Sequence, residues 1–259
     1  MTCWAGSLGG CDTKLSREHL VSEAFWPGES ITVVGFPWCK TEPKRVGPSS
    51  IVSKVLCRSH NSQLSPVDVG GANAFHALEA AEGLLHRRRQ IVPANWMRVG
   101  FAADGPLLER WFLKTTINML SVTENDVRWA IGDGSTSVPA SLVRAAFGLE
   151  ELSPPLGLYL AASVGDALRV IDGLSFMPIF EAHDHFAASL FEFRGVRFIL
   201  NLINSPLPAK LPEMPGAAAP WSGARPNYHL NRINCNIGAA RSHFVDFAWP
   251  GSRFAHFSD

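Results

Sequence analysis

Cys57 and His60 place a thiolate and an imidazole two residues apart, a spacing at which one tight turn can offer both to a single zinc ion. Two ligands do not close a tetrahedral shell, so two more must come from elsewhere. Cys3 and Cys11 are the candidates, with Cys39 as a substitute for one of them. Seven residues separate Cys3 from Cys11, wider than a tight knuckle, but Gly6, Gly9 and Gly10 between them let that loop fold back. A cysteine here can also be a small buried thiol and nothing more. A second chemical pair follows at Glu18-His19. An imidazole accepts a proton from water near neutral pH without a large pKa shift, and a neighbouring carboxylate is a hard oxygen ligand for a divalent cation. Neighbouring strand residues face opposite ways, so both can serve one site only where the strand ends or bulges.

The order Leu15-Ser16-Arg17-Glu18-His19, then Leu56-Cys57-Arg58-Ser59-His60-Asn61-Ser62, resembles the zinc-stapled form of the HNH (ββα-metal) endonucleases over the first seventy or so residues. The resemblance implies a structural zinc on Cys3, Cys11, Cys57 and His60. It implies His19 as general base, with Glu18 and Asn61 holding a catalytic Mg2+ or Mn2+ on a scissile phosphate. DNA is then the expected nucleic-acid partner. The motif's middle asparagine has only Ser53 near its place, and His60 can alternatively be read as the motif's final histidine. Asn61 can equally cap a helix. A zinc-bound module that has lost its chemistry, and binds nucleic acid or a protein partner, is the second reading. A third puts an active site at His183 and His185, which share a strand face two residues apart.

Composition bounds these readings. The 259 residues are 46% hydrophobic and carry 23 basic and 23 acidic side chains, so the formal charge is zero. Coating nucleic acid by bulk electrostatics is thereby excluded. Residues 1–100 hold 11 Lys and Arg against 8 Asp and Glu, the remainder 12 against 15, which tilts a phosphate contact toward the N-terminal part. Arg87-Arg88-Arg89 is the densest basic run, although cations at a helix C-terminus also complement its dipole. Five cysteines, no secretory leader and no membrane-length apolar run point to a cytoplasmic protein with metal-ligating thiols, and away from the membrane. A protein partner or homo-oligomer remains open.

The expected fold class is α+β: a zinc-stabilised ββα-metal domain over 1–72, then an α+β domain over 73–259 with helices followed by a mostly antiparallel sheet. Ile31–Val34 and residues 50–56 read as strands, with Gly- and Pro-rich residues 25–50 as an insertion between the motif's halves. Apolar spacing predicts a helix from Asn73 to the triple arginine, and another after Asp104-Gly105-Pro106 with Asp104 as N-cap. Trp111 and Phe112 on that helix are expected in the core. Shorter helices are predicted near 123–131 and 138–148, then strands over 156–164 and 168–180. A hairpin over 186–202 turns near Arg194-Gly195, and residues 206–226 read as a Pro-rich loop.

Overall fold

The computed structural model describes residues 2–22, 30–34, 39–90, 98–122, 127–132, 134–161, 174–181, 184–193, 196–205, 226–236 and 242–250. It is an α+β fold. The N-terminal loop runs into β1 (Glu18–His19), followed by β2 (Ile31–Val34), β3 (Lys44–Val46) and β4 (Val52–Ser53). Helix α1 (Arg58–Gln63) then leads directly into the long α2 (Ser65–Gln90). Next come β5 (Val99–Asp104), α3 (Gly105–Ser121), β6 (Arg128–Trp129) and α4 (Ala140–Ala146). The remaining strands are β7 (Gly157–Ala161), β8 (Leu174–Phe180), β9 (His185–Phe193), β10 (Val196–Asn201), β11 (Asn227–Tyr228), β12 (Arg232–Asn236) and β13 (Ser242–Ala248).

Three sheets organise these strands. β1 and β4 form a short antiparallel pair, Glu18 opposite Ser53 and His19 opposite Val52. The large sheet has the order β11-β7-β10-β9-β8-β2-β3, with β6 added beside β9. Its pairings are antiparallel except β2 with β8 and β6 with β9. The third sheet has the order β12-β13-β5, β13 lying parallel to β5.

Helix α3 is the centre of the packing. Asp104 caps it, its Oδ1 accepting the Leu107 N–H at 2.9 Å, and Pro106 suits the first turn. From Leu108 to Leu120 nearly every residue is buried, Trp111 and Phe112 fully. Phe75 of α2 meets Trp111 at 4.9 Å and Phe193 at 4.7 Å between ring centroids, and Phe112 meets Phe191 at 4.6 Å and Phe198 at 4.8 Å. This aromatic layer seats α2 and α3 on the large sheet, and tilted or edge-on pairs of this kind add to plain area burial.

Local pattern and structure part company in four places. α2 begins at Ser65, well before Asn73, because Ser65-Pro66 opens it as a helix start. The 50–56 segment pairs only at Val52–Ser53, a 3-10 turn at Pro48–Ser50 taking up its beginning. The helix expected near 123–131 is replaced, among its described residues, by the strand β6. Ala130 N–H bonds Phe186 O at 3.0 Å and Trp129 packs edge-on to Phe186, so sheet pairing overrides helical propensity. Residues 25–50 supply β2 and β3 to the large sheet itself. The 206–226 loop lies outside the described residues except for residue 226.

The position expected to divide two domains, between residues 72 and 73, falls within α2. One apolar cluster gathers Trp4, Leu20, Ile51, Phe75, Trp111, Phe198 and Trp249. A single cooperative calorimetric transition is therefore expected for the whole chain. Two resolved transitions, with residues 73–259 melting independently, would establish the two-unit division.

Candidate metal centre and buried charge cluster

The first eleven described residues of the metal centre have little regular structure and are held by their neighbours. Residues 4–16 lie along 55–58: Trp4 N–H bonds Val55 O at 3.1 Å, Ser16 N–H bonds Leu56 O at 2.9 Å, and Arg58 N–H bonds Lys14 O at 3.2 Å. A 3-10 turn at Gly6–Leu8 is followed by Gly9 and Gly10 with φ of 74° and 63°, values an L side chain rarely adopts. That reversal returns Cys11 toward Cys3. Trp4 anchors the loop from inside, its Nε1 donating to Asn118 Oδ1 of α3 at 2.9 Å. Cys57 is the N-cap of α1, its sulfur accepting the His60 N–H at 3.5 Å.

Cys3, Cys11, Cys57 and His60 thus converge. His60 Nδ1 lies 3.4 Å from Cys3 Sγ, 3.6 Å from Cys11 Sγ and 3.3 Å from Cys57 Sγ. All four donor atoms fall within 4.8 Å of one another. In a tetrahedral zinc shell, bonds of ~2.3 Å to sulfur and ~2.0–2.1 Å to nitrogen set S···N separations of about 3.6 Å. The group fits a closed structural zinc, and it can hold that ion without a further ligand. Cys39, the substitute, points elsewhere, its Sγ lying 3.6 Å from Val33 O.

The thiols are unequal. Burial pushes Cys3 up to about 11, against hydrogen bonds from the Cys57 and Ala5 backbone. Burial also opposes ionisation of Cys57, but the His60 and Asp12 N–H groups and the Cys3 and Cys11 thiols outweigh it and hold Cys57 below the ordinary value. Cys57 is accordingly readier than Cys3 to be the thiolate. The His60 ring stands edge-on to Phe147 at 5.5 Å, so the C-terminal end of α4 backs the centre.

The structure brings Glu18 and Asn61 together as well, but with partners the sequence did not suggest. Asn61 hydrogen-bonds the Glu18 carboxylate. Lys114 of α3, almost wholly buried, reaches Glu18 Oε1 at 2.5 Å and Asp68 at 2.8 Å (Oδ1) and 2.7 Å (Oδ2). Ser22 donates to Asp68, and Trp111 Nε1 donates to Ser22 Oγ at 2.8 Å. Burial raises the Glu18 pKa, while Lys114 opposes the rise by charge and by hydrogen bond; Asp68 adds to it and Asn61 subtracts. The Lys114 ammonium on Glu18 Oε1 would repel a divalent ion brought to the same carboxylate, so Glu18 and Asn61 as they stand do not fit such an ion.

His19 sits on the other face of β1, half-buried, and its ring has no hydrogen-bond partner among the described residues. The alternative histidine site is divided: His183 lies outside the described residues, while His185 Nδ1 is 2.9 Å from Asp184 Oδ1. No protein-family model matches the chain, and comparisons with curated proteins and solved structures give no match.

Two outcomes follow from this geometry. Purified protein is expected to hold one zinc per chain by elemental analysis. Cys57→Ala should abolish it and lower the melting temperature, since structural zinc energy is folding energy, while Cys39→Ala leaves zinc content unchanged. Lys114→Met strands the buried Glu18 and the part-buried Asp68 and is expected to cost about 3–5 kcal/mol in urea unfolding. Adding Glu18→Gln and Asp68→Asn should recover most of that loss.

Proposed function

We propose that the N-terminal segment is a zinc-stapled ββα-type module that grips a nucleic-acid backbone, DNA in the first instance, without divalent-metal chemistry. The observation that carries the second half of this reading is Lys114, whose ammonium already sits between Glu18 and Asp68 and contacts both carboxylates. The first half rests on the charges around the staple. Lys14, Arg17, Lys54 and Arg58 are all exposed. Arg17 and Lys54 flank the Glu18–Ser53 rung, and Lys14 and Arg58 are joined by a backbone hydrogen bond. Across 11–19 and 51–63 the acidic residues are Asp12 and the buried, paired Glu18. A local excess of cations on a rigid, metal-held backbone suits phosphates, which contribute affinity and orientation rather than sequence choice. The neutral balance of the whole chain confines such binding to this face.

The Glu18–Asn61 hydrogen bond favours one rival: an HNH-type endonuclease in which His19 is the base and those two residues hold Mg2+ or Mn2+. One experiment separates the readings. Duplex DNA should bind in fluorescence anisotropy with a marked salt dependence. Arg17→Glu and Arg58→Glu should each weaken it at least ~10-fold and flatten the salt slope, with zinc content unchanged. No plasmid nicking is expected with either divalent ion. Nicking that drops ~10²–10⁴-fold in His19→Ala, the usual worth of a positioned base, would establish the endonuclease instead. Zinc-loaded protein with no affinity for DNA or RNA would turn the module into a protein-binding platform.

A further inference from the structure

A second polar constellation lies apart from the staple, where α3, α4, His229, Trp249 and Pro250 meet around a cavity of about 160 Å3. His229 is the single non-glycine with positive φ among the described residues, at 45°. Such strain is retained where the surroundings enforce it and gathers at binding sites. The surroundings here are specific. The His229 ring stacks on Trp249 at 3.7 Å with planes 2° apart, and on Tyr228 at 3.9 Å. Only the ring edge is left open. His229 Nε2 lies 2.8 Å from Glu109 Oε2, which also accepts the Leu158 N–H at 2.6 Å. Glu109 is buried on α3, and its charge is therefore answered twice.

Arg110, the next residue of α3, is answered less fully. Its Nε donates to Ala146 O at 3.1 Å. Burial lowers its pKa, and the Asp104 charge opposes that, yet no carboxylate contacts the guanidinium among the described residues. Backbone shape makes room for both polar heads. A Cβ on Gly148 would lie 2.7 Å from Arg110 Nη1, and one on Gly157 would lie 2.8 Å from Glu109 Oε2. The other acidic residues at the cavity are Glu150, paired with Arg144, and Glu151, exposed. Pro106, Leu113, Leu152 and Trp249 supply apolar wall.

We infer that this cavity binds a small organic carboxylate, its head on Arg110 beside the edge of His229 and its flat apolar body against Leu113, Leu152 and Trp249. Glu109 fixes the imidazole and cancels its charge when protonated, so the unmatched cation is Arg110, and an anion with a planar head matches its fork. A cation would meet the Arg110 charge, with only the exposed Glu151 at the cavity to offset it. The volume suits a single ring and its head group, and few convergent polar groups in an apolar cleft are typical of ligand sites.

The test uses the full-length, zinc-loaded protein with benzoate as probe, benzamide and benzamidine as neutral and cationic matches. Saturable benzoate binding at millimolar concentration, read by calorimetry and by tryptophan fluorescence, is expected, with benzamidine at least ~10-fold weaker. Arg110→Met keeps the apolar stem and should weaken benzoate at least ~10-fold. His229→Asn, a residue that tolerates positive φ, should weaken it by less and keep the preference for the anion. No saturation by benzoate, or equal binding of benzoate and benzamidine to the wild-type protein, overturns the site whether or not a variant folds. Unchanged benzoate affinity in a folded Arg110→Met protein does so too.

Discussion

The Lys114 ammonium is the point on which the rest of the molecule leans. It leaves water completely and is compensated from two directions, by Glu18 of β1 and by Asp68 of α2. A buried charge costs several kcal/mol to desolvate, so this contact holds only when both partners, and the donors behind them, are in place together. Ser22 and Trp111 complete the arrangement on the Asp68 side and Asn61 on the Glu18 side. Three separate elements are therefore fixed in register by charge, in addition to the apolar contacts that surround them. The same pairing underlies the proposal of a module without divalent-metal chemistry, because carboxylates already engaged by an ammonium are poorer hosts for a divalent cation.

The metal centre complements this lock. Residues 3–16 have almost no regular structure, and the forces on them act at two ends: Cys3, Cys11, Cys57 and His60 at the staple, and β1 with its ion pair at the other. Trp4 bonded to Asn118 ties the loop to α3 between those ends. Phe147 touches both Trp4 and His60. The staple is thus the outer edge of the main core, and its loss would loosen a route that reaches α3 through one indole.

What could be read from the sequence was chiefly local. Cys57 and His60 declare themselves by spacing, Asp104 by its place before Gly105-Pro106, and the 186–202 hairpin by its turn; each depends on residues a few positions apart. Cys3 and Cys11 were legible only because glycines stand between them. Lys114 was not legible, although a single charge in the largely apolar stretch from Trp111 to Leu120 is a signal that it pairs with an acid. Asp68 lies too far along the chain from Lys114 for any spacing rule to join them. Glu109 and His229 are far apart along the chain, and no spacing rule joins them. β6 and the service of β2 in the large sheet were hidden for the same reason, since they exist through partners distant in sequence.

The parallel pairing of β5 with β13 has a temporal consequence. During synthesis, residues 99–104 and the flank of α3 emerge long before residues 242–248 can lie beside them. Loop closure over such a stretch is slow, and pairing of this kind makes for leisurely folding with apolar surface showing meanwhile. Nascent chains of this protein must therefore wait, half-assembled, for one late strand, and the ribosome's pace and whatever shelters the chain then become part of how reliably it reaches its native state.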